Sequence, residues 1–287
     1  MRMATGDTND MTSLVARSRD GDRAAADALI QGIQPTIYKL AQRFLMVPDD
    51  AEDATQDILL KIITRLSQFD GQSQFRTWAY AVASNHLLDL KRKPAEQAMS
   101  FDEFAEDLAE GLSDSPFKGP DVTLMLEEVR IGCTLALLQC LGREARLAYI
   151  VGEILELEHQ EAAEVLGIST GAYRKRLSRA RATVSEFVLG HCGLVNSDNA
   201  CRCSKRVLRA RELGRVDPKR LIFSTSPQHA KRFPEILTEI RQLEEDQRVA
   251  ALFRAQQQPE ISQDFTRWLQ TTLEQQESKR SSSNILN

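Results

Sequence analysis

The chain is poor in aromatic residues: Phe, Trp and Tyr make up 6% of its 287 residues. That scarcity speaks against one large core of stacked rings and suits small helical domains filled with aliphatic side chains. Long apolar runs are missing as well. No stretch approaches the ~20 residues of a membrane span, so insertion into a bilayer is not expected. The opening residues, MRMATGDTND, lack the apolar centre of a secretory signal. Five cysteines, an odd number without such a signal, point away from a disulfide frame and towards reduced thiols or metal ligands in the cytoplasm. Net charge is small too, at -4. Its smallness hides a segregation.

Between residues 95 and 121 lie Glu96, Asp102, Glu103, Glu106, Asp107, Glu110, Asp114 and Asp121, opposed only by Lys118. Between residues 202 and 220 lie eight Lys or Arg against Glu212 and Asp217. Blocks of this kind belong to a molecule that presents different faces to different charged partners.

The most informative stretch is 159–184, HQEAAEVLGISTGAYRKRLSRARATV. Ala162, Val165 and Leu166 give a first helix one apolar face. Gly167 ends it where the backbone needs positive φ, and Ser169 can cap the helix that follows. In that second helix Tyr173, Leu177, Ala180 and Val184 fall on one stripe. Thr170, Arg174, Lys175, Ser178, Arg179 and Arg181 are left facing outward. Ala163 is small where the two helices must cross. The pattern is a helix-turn-helix whose outer helix has five basic residues and no acid between Gly167 and Arg181.

The rest of the chain also reads as helix. Residues 10–45 carry Leu14, Val15, Leu29, Ile33, Ile37, Leu40, Ala41 and Phe44 at helical spacing, broken at Gly21-Asp22. Pro35 should start a third helix or kink the second. Another helix begins with Asp49, Asp50, Glu52 and Asp53 and continues through Ile58, Leu59, Ile62, Ile63 and Leu66. A helix over 75–92 holds Phe75, Trp78, Tyr80, Asn85 and His86 and ends in Lys91-Arg92-Lys93. Residues 95–121 read as mostly irregular, with one marginal helix near 101–108. Helices return over 124–157, where Cys133 and Cys140 read as buried small hydrophobes.

Two of these stretches carry a resemblance. DAEDATQDILLKIITRLSQFDGQSQFRTWAYAVASNHLLDLKRK is similar to region 2 of the extracytoplasmic-function (group IV) sigma factors of bacterial RNA polymerase. The matching positions are Asp50 to Asp53, Gln56-Asp57, Phe75-Arg76-Thr77-Trp78 and Asn85. Leu166 to Arg181 resembles the region 4 signature. The likeness covers roughly residues 10–188. Two departures stand out: Glu158 occupies a place where the family often has a capping Ser, and Ile58-Leu59-Leu60 one where an aromatic is frequent.

The resemblance implies an all-α protein that is not an enzyme, with core RNA polymerase and promoter DNA as partners and an anti-sigma factor as a further one. Residues 1–9 would be disordered and 10–94 would be a region 2 helical bundle. A flexible acidic linker over 95–123 would thread the polymerase channel or act as a spacer. Residues 124–190 would be region 4, 191–276 an α-helical extension and 277–287 a disordered tail. Asp53, Gln56, Asp57, Leu60 and Lys61 would face core polymerase. Phe75, Arg76, Trp78, Asn85, Lys91 and Arg92 would engage the −10 element, the aromatic and amide groups meeting unpaired bases. Thr170, Arg174, Lys175 and Ser178 would enter the major groove of the −35 element, with Arg179 and Arg181 nearer the phosphates. The alternative is a stand-alone helix-turn-helix regulator, which would bind duplex as a symmetric dimer and have no use for the Phe75-Arg76-Thr77-Trp78 segment.

The extension carries His191, Cys192, Cys201 and Cys203 within thirteen residues. Four soft ligands could hold zinc, although Cys-x-Cys is tight for a structural knuckle; redox-active or merely reduced thiols are the other readings. No cofactor is otherwise required. Residues 214–234 read as loop. Amphipathic helices over 235–257 and 262–274, with Phe253, Phe265 and Trp268, should dock on the protein's own regions 2 and 4 and regulate them in cis.

Overall fold

The stripe Leu29, Ile33, Ile37, Leu40 and Phe44 is almost wholly buried, and it builds the first long helix of the computed structural model. The structure describes residues 6–91, 99–119 and 121–256. Among them are twelve α-helices and no strand. Helix α1 spans Gly6–Arg19, α2 Arg23–Leu45, α3 Pro48–Thr64 and α4 Phe75–Asp89. Asp22 caps α2 by accepting from the Ala25 amide at 3.1 Å. Pro35 neither starts a helix nor divides one, because α2 runs through it. Burial on both sides of the proline, from Leu29 to Leu45, outweighs the ~3 kcal/mol that an interior proline costs. Helix α1 begins at Gly6, inside the stretch expected to be disordered.

The acidic segment is not a bare spacer. Helix α5, Phe101–Ala109, opens with a complete capping box in which Ser100 and Glu103 satisfy each other's backbone amides. It lies against the end of the helix-turn-helix: Phe104 stacks on Phe187 at 5.4 Å, with Phe101 edge-on to the same ring. Helices α6 (Val122–Gln139) and α7 (Arg143–Tyr149) follow, and a π-turn at Ile150–Ile154 leads to α8 (His159–Val165) and α9 (Thr170–His191).

Regions 2 and 4 share one hydrophobic core. Helix α4 packs on α8, where the Thr77 hydroxyl donates to Glu161 at 2.9 Å. Arg146 is buried and donates to the carbonyls of Phe44 (2.7 Å), Gln139 (3.1 Å) and Leu141 (3.1 Å). Arg143 donates to the carbonyls of Leu90 at 2.6 Å and of Leu87. These are orphan carbonyls at the ends of α2, α4 and α6, so the two arginines act as C-terminal caps across the junction.

The extension departs most from expectation. A helix not anticipated, α10 (Cys203–Glu212), packs on α6. Helix α11, Pro227–Gln242, starts inside the expected loop, and α12, Glu245–Arg254, follows a break at Leu243. Docking in cis is as expected. Val249, Leu252 and Phe253 are buried, and Phe253 meets Tyr149 edge-on at 5.6 Å. The segment 262–274 lies outside the described residues, as do Arg92, residues 1–5 and the tail.

What holds the extension down is buried charge on α6. Glu128 accepts three backbone N–H bonds, from Ile222 (2.7 Å), Phe223 (2.8 Å) and Ser224 (2.8 Å). Glu127 pairs with Arg130 and with the His229 ring at 2.9 Å. The Arg130 guanidinium lies 3.4 Å from the centre of the Phe233 ring.

Candidate nucleic-acid and polymerase interface

Gly167 has φ +62 with open space where a Cβ would sit, so backbone conformation rather than crowding calls for glycine there. The Ile168 amide then reaches back to the Ala163 carbonyl at 3.1 Å and closes α8. Ser169 accepts from the Ala172 amide at 3.2 Å and starts α9. Tyr173, Leu177, Ala180 and Val184 all point inward. On the opposite face Arg174, Lys175, Ser178, Arg179 and Arg181 are exposed, and Thr170 is half-buried at the first turn.

These cations are not equally free. Arg174 contacts the His159 ring at 3.2 Å. Arg181 pairs with Glu153, whose backbone carbonyl accepts from Arg254 of α12 at 2.5 Å. Arg176 pairs with Glu144 at 2.7 Å.

In region 2 the i, i+3, i+4 spacing puts Asp53, Gln56, Asp57, Leu60 and Lys61 on one outward stripe of α3, with Asp53 and Asp57 exposed. Lys61 donates to the His86 ring at 2.5 Å, and Asp57 lies 3.8 Å from its other nitrogen. Burial, and then the Lys61 charge, push the His86 pKa below its ordinary value.

On α4 the expected −10 residues divide. Phe75 is buried in a trio with Phe69 and Trp78, at 5.7 and 5.8 Å, so it supports the helix and is not free to meet a base. Tyr80 is buried as well. Trp78 and Arg76 are half-buried, whereas Asn85 and Lys91 are exposed.

The expected metal set does not assemble. His191 is exposed and leans on the Phe187 ring at 4.7 Å. Cys192 and Cys201 face each other in a backbone bridge, and Cys203 opens α10. Cys133 of α6 joins these three thiols, where burial first and then the neighbouring sulfurs push its pKa well up. Burial pushes Cys201 to about 11 and Cys203 to about 12, which leaves protonated thiols. Among the described residues, no group of three or more His, Cys, Asp or Glu is arranged to hold a metal ion. Sequence reasoning placed Cys133 among core hydrophobes and missed its neighbours, which come from 59 to 70 residues further along.

Two family profiles match the chain, Sigma-70 region 2 over residues 29–96 and Sigma-70, region 4 over residues 131–184. The RNA polymerase sigma factor NccH of Alcaligenes xylosoxydans xylosoxydans is 31% identical over 178 residues, covering 61% of this chain and 93% of that protein. The RNA polymerase sigma-H factor of Pseudomonas aeruginosa is 29% identical over 180 residues, 60% of this chain and 91% of that protein. The ECF RNA polymerase sigma-E factor of Escherichia coli is 28% identical over 180 residues, 61% and 92%. Among solved structures, CnrH in complex with the cytosolic domain of CnrY is similar at 23% identity and a TM-score of 0.46, covering 63% of this chain and 98% of that one. No described helix is long and apolar enough to cross a membrane. The extension after residue 190 lies beyond both family matches.

Proposed function

We propose a division of labour for a chain that belongs to the extracytoplasmic-function RNA polymerase sigma factors, the initiation factors of bacterial transcription. The family is not an enzyme class, and in this reading the chain has no catalysis of its own and works in the cytoplasm. The α3 stripe of Asp53, Gln56, Asp57, Leu60 and Lys61 meets core polymerase through mixed charged and apolar contacts. Trp78 and Asn85 meet unpaired bases of the −10 element, with Arg76, Lys91 and Arg92 on its phosphates. Arg174, Lys175 and Ser178, with Thr170 at the helix start, enter the major groove of the −35 element. Arg179 and Arg181 lie nearer the backbone.

The observation that carries this reading is the cationic outer face of α9, set on its buried stripe in the same chain as the α3 and α4 faces. A stand-alone regulator would need only the first of these. The extension regulates the two regions in cis, since its three helices are seated on region 4. An anti-sigma factor is a further partner in this reading.

The test is reconstitution. The full chain, added to core polymerase, should direct run-off transcription from a selected two-element promoter, with little footprint from the chain alone. A tight footprint without polymerase, together with no transcript, overturns the reading in favour of the stand-alone regulator.

A further inference from the structure

The two charge blocks of the sequence find each other. Arg206 of α10 is buried at the C-terminal end of α5 and donates to the carbonyls of Asp107 and Glu110, both at 2.7 Å. A cation there satisfies orphan carbonyls and complements the helix dipole. The same guanidinium reaches the Asp107 carboxylate at 3.1 Å, which Arg215 also binds at 2.7 Å. Burial works against that carboxylate, yet Arg215, Arg206 and Arg209 hold its pKa below the usual range. Arg209 pairs with Glu110 at 2.8 Å.

The contact extends to the backbone. The Ser113 and Phe117 amides donate to the carbonyls of Lys205 (3.1 Å) and Ser204 (2.8 Å) in the first turn of α10. Gly111 ends α5 at φ +67, and a Cβ there would run into the Arg209 side chain. The turn is thus shaped around its arginine. On its other side α5 stacks on Phe187 of α9.

Length gives this contact a consequence. Elements centred near −10 and −35 lie roughly 85 Å apart along B-form DNA, at 3.4 Å per base pair. Leu90 and Asp121, which bound the connection between α4 and α6, are 31 residues apart in sequence. Fully extended, that chain spans at most about 110 Å, which is enough. With α5 seated on α9 and α10, only the ten residue steps from Leu90 to Ser100 are left as linker between region 2 and the rest. Their limit is about 36 Å. Together with the widths of two small helical domains this still falls short of the promoter spacing.

We propose that the α10–α5 contact is an intramolecular clasp that shortens the linker, so that, once core polymerase has parted the packed faces of regions 2 and 4, the extension must still release α5 before the two regions can occupy both promoter elements. The clasp rests on the reading that this chain works with core polymerase on a two-element promoter. It gives the regulation in cis a mechanism. The seats of α11 and α12 on region 4 hold α10 in place, so whatever loosens the extension lengthens the linker.

The experiment locks and unlocks the clasp in the full chain. Ser113→Cys with Lys205→Cys places two thiols on neighbouring backbone, where oxidation can bridge them. Oxidised, this variant should lose at least about tenfold in run-off transcription with core polymerase. It should keep its affinity for duplex carrying the −35 element alone, and a reducing agent should restore transcription. The wild-type chain, taken through the same cycle, controls for the native thiols. In the opposite direction, Arg209→Glu with Arg215→Glu changes two partly exposed residues. It should raise transcription several-fold, up to about tenfold if only one molecule in ten is open in the wild type.

A cross-linked protein that transcribes as well as its reduced form overturns the clasp and leaves the sigma reading intact. If wild type and reduced variant both fail to transcribe with core polymerase, the sigma reading falls and the clasp with it.

Discussion

Across the junction of regions 2 and 4, buried arginines donate to neutral carbonyls; the extension is joined to them by arginines, amides and a histidine that meet carboxylates as well as carbonyls. Arg143 and Arg146 cap the ends of α2, α4 and α6. The carboxylates of Glu127, Glu128, Asp107, Glu110 and Glu153 receive the extension, and the backbone carbonyls of Asp107, Glu110 and Glu153 accept from it as well. A carbonyl does not titrate and carries no net charge to screen, so the two arginine caps should ignore acid and salt. The second junction is ionic and in part exposed, which makes it the one that solution conditions or a charged competitor can open. Both joints use the same guanidinium, and the second adds carboxylates to its acceptors.

The largest effect should come from the junction of regions 2 and 4. Arg146→Met strands the buried carbonyls of Phe44, Gln139 and Leu141, which should cost roughly 3 kcal/mol or more. Urea denaturation should give the same loss at low and high salt. A loss that shrinks with salt would erase the proposed difference between the joints.

Next is Glu128→Ala, which leaves the Ile222, Phe223 and Ser224 amides without their acceptor. We expect a loss of about 2–3 kcal/mol, confined to the extension. Hydrogen exchange should quicken at those three amides and in α11 while α2 and α3 stay protected. Uniform loss of protection across the molecule would mean that the extension is as integral as region 2. It follows that a chain cut after Gly190 would be more than a sigma factor without its regulator. It would bare Glu127, Glu128 and Arg130 on α6.

These residues also mark what the sequence could and could not disclose. The helix-turn-helix was legible because its signals are local: a 3.6-residue stripe, a glycine that needs positive φ and a serine one residue before the helix it caps. The α3 stripe was legible for the same reason. Helix α10 was not, since only Arg206, Val207 and Ala210 are buried along its ten residues and its partners lie about a hundred residues earlier in the acidic block. Pairing between distant charge blocks leaves no periodicity to read. Nor does sequence show that Phe75 turns inward while Trp78 stays half-exposed, because both lie in one aromatic trio. Cys133 packs against the core as expected, but its neighbouring thiols were not legible, because a cysteine in an apolar helix looks the same whether or not others arrive from elsewhere in the fold.

A smaller effect sharpens the comparison on the outer face of α9. Arg174 points to solvent beside His159, whereas Arg181 shares Glu153 with Arg254 of the extension. Arg174→Ala should relax base preference at one promoter position and cost about 1–3 kcal/mol of promoter binding if its contact is bidentate. Arg181→Ala should weaken binding evenly across promoters and lower its salt dependence. It should also loosen α12, because it removes one of the two arginines on Glu153. A randomised −35 library, with hydrogen exchange on α12, separates the two variants. Matching behaviour in both assays would mean that the ion pair with Glu153 carries no information between DNA face and extension.

The smallest effect tests whether region 2 is as indifferent to acid as its junction suggests. His86 is buried on α4, receives a hydrogen bond from Lys61 at 2.5 Å and lies near Asp57. Burial and the Lys61 charge lower its pKa below the model-peptide value of 6.5, so the folded protein holds the ring neutral where the unfolded chain would begin to protonate it. The unfolded state then binds more protons, and stability rises with pH through that window. In the other direction, the contribution is full above about pH 6.5 and drains away as pH falls from there towards the lowered folded value. His86→Gln offers Lys61 an amide oxygen and does not titrate. It should therefore flatten the slope of stability between pH 7 and pH 5 while changing stability at pH 7 by under about 1 kcal/mol. Because Asp57 and Lys61 belong to the stripe assigned to core polymerase, protonation of His86 would also displace Lys61 and alter that surface. Polymerase affinity of the wild type should fall over the same pH interval, and that of His86→Gln should not. A variant that keeps the full pH slope would place the acid sensitivity elsewhere, with the carboxylates that receive the extension as the first place to look.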